Sequence, residues 1–318
     1  NKVRVHHLNN KPLPEGWVVD GDGRGVTDSR LGNDYVFKHP EGGITPLGGT
    51  GAMGSHKGYG LAMMVHLLGG ALQAEPSRLV HDLKLVKSPA ELNYIRAASA
   101  KADMAMHVFA ASLQPGRSEL AVAGKVIESL MSAGSGLAAS PINLVSGERS
   151  AFSHGAPTER LLRQGDFGSV EYGATHRRYT ATLGRQFSIG APTRRMVELH
   201  DVVRRASEAC IAQIRDGVMA AQPHAAAKRV IAEAGLEAHR VHTTGYGIAP
   251  GFPPSWGEPL HMLGDSTYTL RAGMVLSVEP PVFIGQEKLG ARIIDNVVVT
   301  RDGAEVLSRY SRDIIVVP

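Results

Sequence analysis

Gly273-Met274-Val275-Leu276-Ser277-Val278-Glu279-Pro280 and, after a short gap, Gly290-Ala291-Arg292-Ile293-Ile294-Asp295-Asn296 decide how most of this chain is read. Both are aliphatic, β-branched runs bounded by Gly or Pro, and they predict strands over 274–283 and 292–300. Successive side chains of a strand point to opposite faces. Glu279 therefore shares a face with Ser277 and Val275, opposite Leu276 and Val278. A carboxylate in an otherwise apolar strand costs free energy unless it has a partner or a task.

The segments before these runs alternate in period. Ser88-Pro89-Ala90-Glu91 is a capping box with Pro at the first helical position, and it predicts a long helix to about 113, ended by Pro115-Gly116. Ser118 is placed to cap a second helix, with Leu120, Ala123, Ile127, Leu130 and Met131 expected to face inward and Gly134 to stop it. Further helices are predicted over 193–216 and 225–234, and strands over 142–146, 167–174, 179–189 and 313–317. Helices mixed with long strands predict an α+β class with a curved, mainly antiparallel sheet. The same alternation puts Glu171 on the face of Ser169, opposite Val170.

Residues 1–78 read differently. They hold 15 of the 37 glycines, with one helix predicted over 58–68, and are expected to form only a partial domain. The predicted boundary divides the chain into 1–76 and 77–318. Across its 318 residues the chain is 43% hydrophobic with a net charge of +4. The densest basic run, Arg177-Arg178, is too short for a nucleic-acid stripe, so no nucleic-acid partner is expected. No apolar run reaches the ~18 residues of a membrane span. Cys210 is the sole cysteine, which excludes an internal disulfide and suits a cytoplasmic location. The first residues show no signal peptide, and the missing initiator Met leads us to expect a piece of a longer chain.

Ser146-Gly147-Glu148-Arg149-Ser150-Ala151-Phe152-Ser153-His154-Gly155, Glu171-Tyr172-Gly173-Ala174-Thr175-His176-Arg177-Arg178-Tyr179 and His242-Thr243-Thr244-Gly245-Tyr246-Gly247 join the two opening runs in a set of blocks. In order and spacing the blocks over about 79–318 resemble the creatinase, Xaa-Pro aminopeptidase and methionine aminopeptidase family. The resemblance implies the pita-bread fold and a homodimer. Metal-dependent members hold two ions with two Asp, one His and two Glu. Here those positions are Glu171, Thr182, Tyr246, Glu279 and Ile294, so no metal is expected and no cofactor. His154 matches the active-site His of metal-free members, and His242 a substrate-contacting His. The insert Gly251-Phe252-Pro253-Pro254-Ser255-Trp256-Gly257-Glu258 resembles the ectoine hydrolase branch.

The expected activity is metal-independent hydrolysis of a non-peptide C–N bond in a small, nitrogen-rich, ectoine-like substrate. His154 would be acid and base, Glu171 and Glu279 would orient water and bind positive charge, and His242 and Arg292 would position the substrate. Two assignments stay open. Arg292 pairs with Glu279 or with a substrate carboxylate, and Tyr246 lines the site or only fills the core. His176, His200, His224, His239 and His261 are expected on surfaces or loops. The alternatives are an Xaa-Pro peptidase-type metallohydrolase, an inactive fusion remnant, and a nicotinamide-dependent dehydrogenase fragment. The last arises because Pro14-Glu15-Gly16-Trp17, Leu47-Gly48-Gly49 and Ser55-His56-Lys57-Gly58-Tyr59-Gly60 resemble the malate/L-lactate dehydrogenase family over about 1–74.

Overall fold

The computed structural model describes residues 2–45 and 82–318. The chain divides into two units, Asn1–Val80 and His81–Pro318. In the first, helices α1 (Lys2–Leu8) and α2 (Ser29–Phe37) and a short antiparallel pair, β1 (Val18–Val19) with β2 (Gly43–Ile44), surround Val3, Leu13, Val18 and Val26. The sequence reading expected neither helix; Asp28 caps α2 by accepting from the Leu31 amide, a signal that the run of glycines obscures. The helix predicted over 58–68 lies outside the described residues.

The second unit opens with α3 (Pro89–Ser112), and its capping box forms as the sequence predicts. Ile95, Ala98, Ala102, Ala105, Met106 and Phe109 make its buried stripe, and Phe109 meets Phe187 edge-on at 5.6 Å. Helix α4 (Glu119–Ser132) is capped by Ser118. Its inward face is Val122, Ala123, Val126 and Leu130, while Leu120, Ile127 and Met131 are exposed. The expected stripe is thus turned by about one residue. Buried Glu119 explains the turn: it accepts from Ser146 and Thr158 and pairs with Arg149, which fixes the start of the helix.

Nine strands form the main sheet: β3 (Asn143–Ser146), β4 (Phe167–His176), β5 (Tyr179–Ile189), β6 (Gly245–Phe252), β7 (Ser255–His261), β8 (Val275–Val278), β11 (Asp295–Val299), β12 (Ala304–Val306) and β13 (Ile315–Val317). The path is β12-β11-β8-β6-β5-β4-β3, with β7 on β6. All its pairings are antiparallel except β13 on β5. A separate pair, β9 (Pro281–Ile284) and β10 (Leu289–Arg292), follows β8. The single runs predicted over 274–283 and 292–300 therefore each break, at Glu279-Pro280 and at Ile293-Ile294. Helices α5 (Arg194–Ile211) and α6 (Ala221–Glu233) share one core with β8 to β11, and α3 and α4 share another with β4 and β5.

Candidate active site

One row of paired residues crosses the sheet. Asn143 lies opposite Glu171, Glu171 opposite Gly184, and Gly184 forms a bridge to Ile294. A second row runs Tyr246, Ser277, Asn296 across β6, β8 and β11. These rows hold Glu171, Ile294, Tyr246 and Ser277 of the strand positions singled out above.

Arg292, at the end of β10, is buried and donates through Nη2 to Glu171, which also accepts from Asn143 Nδ2 at 3.1 Å. The open question over Arg292 is thus answered: its protein partner is Glu171, not Glu279. Glu279 follows β8 and is 1% exposed. Ser277 Oγ donates to its Oε2 at 3.3 Å, as the shared strand face requires. His242 Nδ1 lies 3.6 Å from its Oε1, and the His242 and His154 rings are 5.2 Å apart. Among the described residues Glu279 Oε1 and Arg292 Nη1 are buried without a hydrogen-bond partner. Native interiors seldom leave such atoms orphaned unless something else is to meet them.

Electrostatics follow from burial. Desolvation pushes the Glu279 carboxyl up to about 8, against the pull of Arg292. Burial, then Arg292, brings His242 down to about 4 and lowers His154, so both imidazoles are neutral bases near neutral pH. Burial works against the Arg292 charge, but Glu171 and Glu279 outweigh it and hold the guanidinium above its ordinary range.

Two divalent ions would need a hard, charged donor set. Glu171 is committed to Arg292, and Thr182 Oγ1 accepts from Asn296 Nδ2 at 2.8 Å. Tyr246 offers a phenol that already accepts from Trp256 Nε1 at 3.0 Å, and Ile294 offers only an alkyl group. Among the described residues no group of three or more His, Cys, Asp or Glu is placed to hold a metal ion. These residues do not fit a pair of divalent ions.

A sequence model of metallopeptidase family M24 matches residues 93–301. The chain belongs to that family. It is 34% identical over 250 residues to the probable dipeptidase PepE of Mycobacterium tuberculosis, covering 78% of this chain and 65% of that protein. The Xaa-Pro dipeptidase of Pyrococcus horikoshii is 28% identical over 74% of this chain and 66% of its own length. The chain thus spans about two thirds of these relatives. Among solved structures, the X-Pro aminopeptidase of Thermotoga maritima superposes with a TM-score of 0.72 at 27% identity, covering 76% of this chain and 67% of that one. Dipeptidase PepE of Mycobacterium ulcerans gives 0.71 at 34% identity, covering 76% and 64%. The fold is the pita-bread fold. Residues 1–115 also match malate/L-lactate dehydrogenase. The overlap of the two matches, 93–115, falls largely in α3, whose buried face belongs to the second unit.

The family corrects the functional expectation. An ectoine-like, metal-independent hydrolase conflicts with relatives named dipeptidase and Xaa-Pro dipeptidase and with a family model of metallopeptidases. Two histidines also need correcting: His200 and His224 are buried, not on surfaces. The sequence reading gave no role to Asn143 or Trp256, each of which touches a site residue. For Trp256 the available signal is a tryptophan set among Gly and Pro in an insert; Asn143 gives none.

Proposed function

We propose that the second unit is a hydrolase of the peptide C–N bond in a dipeptide. One observation carries this reading. At the positions where M24 blocks gather their charged residues, Glu279 Oε1 and Arg292 Nη1 are buried and free, in a chain whose relatives include named dipeptidases. Hydrolysis adds water oxygen to the carbonyl carbon, breaks the C–N bond and delivers a proton to the leaving amine. His154, partly open to solvent and neutral, is the proton carrier to that nitrogen, with Ser153 Oγ 3.2 Å from its Nδ1. Glu279 receives positive charge, Glu171 holds the Arg292 guanidinium in place, and His242 and Arg292 position the substrate. Residues 1–76 are assigned to a malate/L-lactate dehydrogenase-like fragment, supported by the match over 1–115.

The replacement of three ligand positions by Thr182, Tyr246 and Ile294 favours one second reading, a fold that binds a dipeptide without cleaving it. A panel of dipeptides, Xaa-Pro included, separates the two. Free amino acids are measured by chromatography with added Mn, Co or Zn ions and, separately, with chelator. Release of both amino acids in either condition supports the hydrolase; silence across the panel in both conditions rejects it. His154→Ala is expected to lose roughly 100- to 10,000-fold in kcat, the scale of general acid–base groups.

A further inference from the structure

Tyr246 stands in the second row of the site, cross-strand from Ser277 and on the face that carries Glu279. An indole N–H only donates, so the 3.0 Å contact from Trp256 Nε1 makes the Tyr246 oxygen an acceptor there. The phenol's own proton has no acceptor among the described residues. Trp256 is itself held hard. It is 4% exposed; its indole Cζ3 lies 2.9 Å from where a Cβ on Gly173 would stand, and its own Cβ lies 3.1 Å from where one on Gly251 would stand. Gly173 clears a seat for the ring and Gly251 for its stem, and the ring aims one hydroxyl. Burial and then Glu279 and Glu171 oppose ionisation of the phenol, so it keeps the proton it donates.

The site then offers three free hydrogen-bonding valences: donors at Tyr246 Oη and Arg292 Nη1 and, at Glu279 Oε1, a carboxyl oxygen that accepts once its proton has passed to a bound amine. A carbonyl oxygen satisfies the donors and an adjacent amino group satisfies the acceptor. That pair is the aminoacyl end of a dipeptide. Resting on the dipeptide reading, we propose that Tyr246, aimed by the positioning residue Trp256, is a hydrogen-bond donor to the carbonyl oxygen of the bond that is cut. Arg292 is the second donor, and Glu279 receives the substrate's amino group. When water adds to that carbonyl, negative charge gathers on the oxygen already facing the two donors.

The test compares full-length wild type, Tyr246→Phe, Trp256→Phe and the double variant on an Xaa-Pro dipeptide. Loss of a donor to such an oxygen costs about 100-fold in kcat, so Tyr246→Phe should fall on that order with KM nearly unchanged. Trp256→Phe keeps an aromatic ring but loses the N–H, and should fall about 10-fold, the worth of roughly one hydrogen bond. The double variant should be no slower than Tyr246→Phe, because Trp256 acts only through the hydroxyl. Unchanged kcat in Tyr246→Phe overturns the donor role, and multiplicative losses in the double variant overturn the positioning role. Melting curves check that Tyr246→Phe is folded, and that variant decides even if Trp256→Phe is not. If wild type cleaves no dipeptide, the hydrolase reading fails and this inference fails with it. If wild type cleaves and Tyr246→Phe keeps its kcat, this inference fails alone.

Discussion

His224 sits with Nδ1 3.0 Å from both Thr244 Oγ1 and the Met262 carbonyl, inside a segment whose sequence gives no sign of burial. Desolvation, helped by Arg240, holds its pKa below the ordinary value, and burial does the same to His200. The consequence for stability has a definite sign. Both rings stay neutral in the fold at pH values where the unfolded chain takes up protons. Their contribution is complete above the ordinary His pKa of about 6.5 and is lost as pH falls below it. Tm should therefore drop between pH 7 and pH 5, at ~2–4 °C per kcal/mol lost for a domain of this size. His224→Asn should flatten that acid limb; an unchanged limb would place the responsible protons elsewhere. The histidines also mark what one residue reveals. His154 and His242 each lie in a block of defined spacing, and the fold brings their rings within 5.2 Å. A lone His in a helical pattern carries no sign of which face it joins.

At the scale of elements, capping and alternation were legible and packing was not. Ser88 and Glu91 set the start of α3, and strand β5 runs over the residues its alternation predicts. The inward face of α4 was misplaced because Glu119, which the apolar spacing does not include, is held inside. The β6–β7 hairpin was missed because Gly251-Phe252-Pro253-Pro254 reads as loop, and only its partners β5 and β8 make it sheet. Gly184 gives an element-level prediction. A Cβ there would stand 2.7 Å from Ile294 Cγ1, and the two backbones are bonded to each other, so neither can easily retreat. Gly184→Ala should destabilise by about 1–3 kcal/mol through overpacking. Adding Ile294→Ala should restore part of the loss, read as a non-additive double-mutant cycle in urea. Simple additivity would show that the two residues do not confront each other.

Across the whole molecule, the M24 unit carries every residue of the candidate site, while the first unit owes its similarity to a different family. That mixture was legible because motifs survive as short blocks whichever domain follows them. What the residues of those blocks touch was not legible, since Arg292–Glu171 and Trp256–Tyr246 join residues 121 and 10 positions apart. Separation along the chain has a further consequence, for the order of events in folding. Strand β5 is fixed to β11 by Thr182 with Asn296 and by Arg185 with Asp295, contacts 114 and 110 residues apart. Between them lie α5, α6 and the β6–β7 hairpin. Closing so long a loop costs entropy before any contact repays it, and folds dominated by such pairings form slowly. Helix α3 and the β4–β5 hairpin, built from near neighbours, have no such wait. On dilution from denaturant, far-ultraviolet ellipticity should therefore recover ahead of dipeptide cleavage. The lag between the two signals measures the time the distant strand takes to arrive.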